Sequence, residues 1–300
     1  MTEERKQEIL EIIRNTNRRP AQTGKPLYPE EIMAYPNLCE EIESISRTVD
    51  GFSYRMDILR AKNRGENCPL FINIHGGGFI GPHRENDTYF SAYMADQIHG
   101  ITVDLDYTLS DAAPYPVALH QCMDALDYVA EHANTWGASA KDISVGGYSA
   151  GGALTAAMGI CCAERGGFVP KLQILCYPPL EYRIPDQYKI DAYDRQIGME
   201  RCKAFADLYF DDKKENFEDI HNSPLYASRE ILAKQPKTLI LSAGLCNFRY
   251  EDEDYAICLA DAGAEVILKR FPEASHGFIP HFMDGWKEAA DLMVREILEK

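Results

Sequence analysis

The stretch Ile143-Ser144-Val145-Gly146-Gly147-Tyr148-Ser149-Ala150-Gly151-Gly152 constrains this chain more than any other. A short β-prone run enters Gly147-Tyr148-Ser149-Ala150-Gly151, and the small-residue stretch from Ala150 to Ile160 leaves it with helical character. The pattern predicts strand, sharp turn and helix, with Ser149 at the apex. Such a turn needs residues without bulk two positions either side of the serine, because the strand and helix backbones nearly touch there. It exposes the hydroxyl at the sheet's edge and aims a helix N-terminus at charge developing beside it.

The rest of the chain reads as strands alternating with helices. Thr2 begins a charged amphipathic helix, and Asn15 to Pro36 reads as a polar arm with a short helix at Glu30 to Met33. Ile42 to Val49 and Phe52 to Leu59 alternate apolar and polar residues about Asp50-Gly51, the pattern of a hairpin. Further strands are expected at Leu70–Ile74, Ile101–Leu105, Ile143–Tyr148, Leu172–Tyr177, Thr238–Ser242 and Val266–Phe271. Helices are expected at Tyr89–Ile98, Pro116–His132, Ala150–Ile160, Glu200–Phe210, Tyr250–Ala262 and from Trp286 to the end. That order predicts an α/β fold, with a mostly parallel sheet and helices on both faces. No strand is evident from Glu181 to about His221, a length that suits a lid over a site.

Composition excludes several classes of partner. The formal charge of −16 disfavours nucleic acid and anionic membrane surfaces. Nine cysteines without repeating spacing fit reduced thiols in a cytoplasm better than a disulfide framework. The charged segment from Met1 to Arg19 lacks the apolar run of a signal peptide, and no stretch is apolar for the length of a bilayer. The histidines show no convergent ligands at metal spacing, so neither metal nor other cofactor is expected.

A second motif, His75-Gly76-Gly77-Gly78, directly follows the buried strand at Leu70–Ile74. Three glycines there let backbone N–H groups approach a substrate oxygen that side chains would otherwise block. A phosphate-binding loop is the competing reading, but no lysine follows and the spacing is not G-x-G-x-x-G. H-G-G-G followed later by G-x-S-x-G is far more specific than either motif alone.

With these two motifs the chain resembles the α/β-hydrolase family, and within it the hormone-sensitive-lipase-like esterases, from about Pro69 to the C-terminus. Asp106-Tyr107, Pro114-Tyr115-Pro116, Ser223-Pro224-Leu225 and Ser275-His276-Gly277-Phe278 extend the resemblance. It implies Ser149 as nucleophile, His276 as base, and the backbone N–H groups of Gly77, Gly78 and Ala150 as the oxyanion hole. His75 would support that loop, and His281 is the one rival base. The resemblance also implies a helical cap made of residues 1–46 and 181–221 on a catalytic core of 47–180 and 222–300. Short acyl or acetyl esters, hydrolysed through an acyl-enzyme intermediate, are the implied substrates.

The third triad member departs from the pattern. Aligned through Ala243, Arg249, Glu251 and Tyr255, the position of the family's aspartate holds Cys246. A thiol with a pKa of ~8.5 is mostly neutral near pH 7 and orients an imidazolium poorly. A carboxylate could substitute, with Glu251 ranked ahead of Glu181. Asn247 could instead hold the tautomer through its amide oxygen. A weakened dyad remains open, as do a ligand-binding protein without turnover and an amide or peptide hydrolase. The sequence leaves a homo-oligomer open as well.

Overall fold

The computed structural model describes residues 1–16, 27–184 and 197–299. Eight strands form one sheet in the order β1-β2-β4-β3-β5-β6-β7-β8. They are β1 (Glu43–Val49), β2 (Phe52–Arg60), β3 (Cys68–Ile74), β4 (Ile101–Asp106), β5 (Ala138–Tyr148), β6 (Leu172–Cys176), β7 (Lys237–Ala243) and β8 (Val266–Phe271). The first two pair antiparallel with Val49 opposite Phe52, so Asp50-Gly51 is the hairpin turn, and β2 lies antiparallel to β4. All later neighbours run parallel.

Alternation along the strands divides the core between two faces. Leu70, Ile72 and Ile74 of β3 join one cluster with α4 (Val117–His132) and α5 (Ala150–Arg165), which supply Leu126, Val129, Leu154 and Met158. Phe71 points the other way. It joins Tyr148, Leu239 and Leu241 beneath α3 (Glu85–Gln97) and α10 (Trp286–Leu298). Ile240, between the two leucines of β7, turns to a third cluster with Tyr255 and Leu259 of α9 (Arg249–Ala262).

Several boundaries lie beyond the sequence expectation, among them the end of α5 at Arg165 rather than Ile160. Helix α3 starts at Glu85 rather than Tyr89, because Asp87 Oδ2 accepts the Arg84 N–H at 2.9 Å and closes the first turn. Strand β5 starts at Ala138 through an early pairing with Cys68, before its register shifts. The short helices α7 (Glu215–Glu218) and α8 (Arg229–Leu232) carry no periodic signal at that length. The expected short helix is α2 (Glu30–Met33).

Helix α1 (Glu3–Asn15) packs on α6 (Met199–Tyr209), nearly two hundred residues away in sequence. Ile9 and Ile13 meet Ala204 and Leu208, and Arg5 Nη2 donates to Asp207 Oδ2 at 3.1 Å. Arg201 Nη1 donates to the Ile13 carbonyl at 2.9 Å. No helix among the described residues is long and apolar enough to cross a membrane.

Candidate active site

Four loops at the carboxyl ends of parallel strands build the site, the edge where open α/β sheets place their ligands. They follow β3, β5, β7 and β8. Ser149 sits between β5 and α5 with φ +52° and ψ −119°, a conformation that L-residues rarely adopt. Its N–H donates to Cys176 O at 2.9 Å, which fixes the turn against β6. A Cβ on Gly147 would lie 2.5 Å from the Gly151 backbone, and one on Gly151 would lie 2.1 Å from Ile74 O. Both positions therefore exclude any side chain.

The His75–Gly78 loop is held from behind. His75 is fully buried, its ring stacked on Tyr107 at 4.3 Å, and its Nδ1 lies 2.7 Å from Gly76 O. Burial holds its pKa down to about 4, so the neutral ring donates Nδ1–H to that carbonyl. Behind it His83 Nε2 meets the buried Asp104 Oδ2 at 2.7 Å. Burial opposes charge on His83, but Asp104, by charge and hydrogen bond, outweighs it and lifts the pKa to about 9.

His276 arrives on the loop after β8. That loop is joined to the one after β7 by Gly244 N–H to Phe271 O at 2.8 Å and Leu245 N–H to Ala274 O at 3.1 Å. His276 Nε2 lies 2.9 Å from Ser149 Oγ. Tyr177 and Phe248 wall the ring with edge-on contacts at 5.0 and 5.7 Å between centroids. Burial, and to a lesser extent the charge of His281, hold the imidazole down to about 3, so it is neutral at pH 7. His281, the rival base, meets Tyr28 Oη through its own Nδ1 at 3.1 Å.

Cys246 Sγ lies 3.1 Å from His276 Nδ1. Glu251, ranked first among the carboxylates for this role, makes a different contact. Glu251 lies in the first turn of α9, where its Oε2 accepts the Leu180 N–H at 2.7 Å and fastens the helix to the segment after β6. Glu181 caps its own segment, accepting Ile184 N–H at 2.9 Å as well as the Arg183 N–H. Asn247 donates through Nδ2 to Ile197 O at 3.1 Å. The alignment through Ala243 and Arg249 singles out Cys246. Choosing among its neighbours needed the crossing of the two loops.

Ser149 opens into a cleft lined by Gly78, Phe79, Ala150, Pro179, Tyr182, Ile197, Cys202, Phe205, Ala206 and Phe248. Gly78 and Ala150, two of the three candidate oxyanion donors, share this cleft with the serine, and Gly77 precedes Gly78 in its loop with φ +120°. Of the aromatic residues in the segments expected to form a cap, Tyr182 and Phe205 line the cleft, while Tyr209 stacks on Phe79 at 3.7 Å. Tyr35 and Tyr28 lie against Tyr93 and Phe282, and Tyr188 and Tyr193 fall outside the described residues. Among the described residues no group of three or more His, Cys, Asp and Glu could hold a metal ion.

Comparison with known proteins places this geometry. Esterase LipI of Mycobacterium tuberculosis is 29% identical over 217 residues, 71% of this chain and 66% of LipI. The carboxylic ester hydrolase LipN of the same organism is 31% identical over 243 residues, 75% of this chain and 61% of LipN. The chain thus spans less than two thirds of the length of either relative. Among solved structures, a Pyrobaculum calidifontis esterase superposes with a TM-score of 0.79 and 25% identity, over 98% of this chain and 92% of that one. The family described as having the alpha/beta hydrolase fold matches residues 71–280. Seven-tenths of the chain carries that match, on the sheet order and strand-end loops described above, and the chain belongs to the α/β-hydrolase fold family.

Proposed function

We propose that the protein is a serine carboxylic ester hydrolase acting on small, uncharged acyl esters. The observation that carries this reading is the 2.9 Å contact between His276 Nε2 and Ser149 Oγ at the floor of a mainly apolar cleft. His276 takes the hydroxyl proton through Nε2 as Oγ attacks the ester carbonyl carbon. The N–H groups of Gly77, Gly78 and Ala150 hold the oxyanion. The proton passes from His276 to the departing alkoxide, leaving an acyl group on Ser149. Water, deprotonated by the same imidazole, then releases the acid and restores the hydroxyl.

The lining of the cleft supports short acyl chains, acetyl among them. Phe79, Tyr182, Phe205 and Phe248 set bulky aromatic walls around the serine. Among the described residues no charged side chain lines the cleft, which favours neutral esters. Helix α6 contributes Cys202, Phe205 and Ala206 to the wall and carries α1 on its back. We therefore assign residues 1–46 and 181–221 to a cap that encloses the substrate, with 47–180 and 222–300 as the catalytic core.

A fluorophosphonate probe together with p-nitrophenyl acetate tests the reading. Wild type is expected to be labelled and to turn over the ester, and Ser149→Ala to do neither while remaining folded. Labelling that persists in Ser149→Ala overturns the nucleophile. Faster cleavage of an acylated proline amide than of the ester would make the protein an amidase. A folded wild type inert to both substrates and probe would make it a binding protein.

A further inference from the structure

We propose that Cys246 is the positioning residue of His276, its sulfur accepting the Nδ1–H so that Nε2 faces Ser149 without a proton. The inference rests on the hydrolase reading for its consequence in rate, but the proton position is a property of the resting protein. Sγ lies 3.1 Å from Nδ1, and the opposite nitrogen lies 2.9 Å from Ser149 Oγ, so serine, imidazole and sulfur form one chain of contacts. A neutral imidazole carries one N–H, and the other nitrogen is an acceptor. Were the sulfur to donate to Nδ1, the ring proton would sit on Nε2, and His276 could not take a proton from serine. Sulfur as acceptor leaves the competent tautomer.

The surroundings favour acceptance. Phe248 N–H already donates to the same sulfur at 3.3 Å, from the residue that immediately precedes the fourteen-residue helix α9. Partial positive charge at a helix N-terminus favours electron-rich groups. The thiol stays protonated, because burial raises its pKa well above the ordinary thiol range. Asp252, Glu251 and Cys202 add to that rise, and the Phe248 N–H opposes it. Around His276 itself lie Ser149, His281, Tyr177 and Phe248. A protonated sulfur brings no charge to this contact, whereas an aspartate at the same position would add one.

This arrangement has a signature in pH. An imidazole held by a neutral sulfur in a buried site remains a base in acid, so kcat/KM should keep its value well below pH 6. A carboxylate within ~4–6 Å raises a histidine pKa by ~1–3 units. Cys246→Asp should therefore move the acid limb up by about 2 pH units and raise kcat above wild type. Cys246→Ser, which keeps an acceptor, should stay within a few-fold of wild type. Cys246→Ala should lower kcat by ~10–10²-fold with KM held, the scale of a misplaced catalytic group. A purely structural cysteine would move neither the pH limb nor the ratio of kcat to KM.

The decisive measurement is ¹⁵N NMR of the imidazoles in resting wild type, with His276 assigned by its absence in His276→Gln. The expected spectrum shows Nδ1 protonated and Nε2 bare, with the Nδ1 signal displaced in Cys246→Ala. An Nε2-protonated ring, or a spectrum and pH profile indifferent to Cys246→Ala, overturns the proposal. This readout needs no turnover. A protein inert to esters and fluorophosphonate would sink the hydrolase reading while the NMR still decides the role of Cys246.

Discussion

Replacing Ser149 by glycine should leave a more stable protein than replacing it by alanine, against the usual order of these two residues. At φ +52° and ψ −119°, Ser149 occupies backbone space that suits glycine and strains a residue with a Cβ. Such strain costs of the order of 1–3 kcal/mol. Alanine keeps it and glycine removes it. Glycine in turn adds freedom to the unfolded chain, a loss of about 0.4–1 kcal/mol. The hydroxyl contact to His276 at 2.9 Å disappears in both variants, so it cancels from the comparison. The balance leaves the glycine variant ahead by about 1 kcal/mol. Urea denaturation of both proteins, read at equal slope, measures the difference as a shift in midpoint. Alanine matching or exceeding glycine would mean that the turn stores no strain, and the account of the exposed serine would fail.

Two further perturbations probe the shell behind the site. Because the folded pKa of His83, about 9, lies above its ordinary value, the stability it contributes is complete below pH ~6.5 and is lost as pH rises through 9. The advantage of wild type over His83→Gln in thermal melts should therefore shrink steadily from pH 6.5 to above 9, and a constant gap would contradict the pairing with Asp104. A Cβ on Gly78, at φ +64°, would lie 2.5 Å from the Phe205 ring, so Gly78→Ala should displace the loop or α6. A loss in kcat of up to ~10²–10³-fold, the scale of one oxyanion donor, should be partly restored in Gly78→Ala/Phe205→Ala. A double variant no better than the single one would remove steric conflict as the cause.

Some of this molecule is written in short-range pattern. The glycine two positions before Ser149 follows from a contact with the Gly151 backbone inside the same five residues, which any chain making this turn must satisfy. The alternation of Leu70, Phe71, Ile72 and Ile74 likewise assigns each side chain to a face of the sheet before any neighbour is known. These features depend on periodicity and sterics local to the segment, so sequence alone determines them.

Other features depend on where distant loops cross. Glu251 and Cys246 lie five residues apart near the start of one helix, and chemistry favours the carboxylate as a partner for imidazole. Leu180 N–H holds Glu251, and the bonds of Gly244 to Phe271 and Leu245 to Ala274 bring the sulfur to Nδ1. His276 and His281 are separated by five residues as well, yet one meets Ser149 and the other Tyr28. The seating of α1 on α6 joins segments that share no local signal. Hydrogen-bond partners are chosen over tenths of an ångström, whereas sequence patterning resolves only the face of a strand or helix. The strands and the serine turn were therefore legible in the sequence, and the partner of the imidazole was decided by tertiary packing.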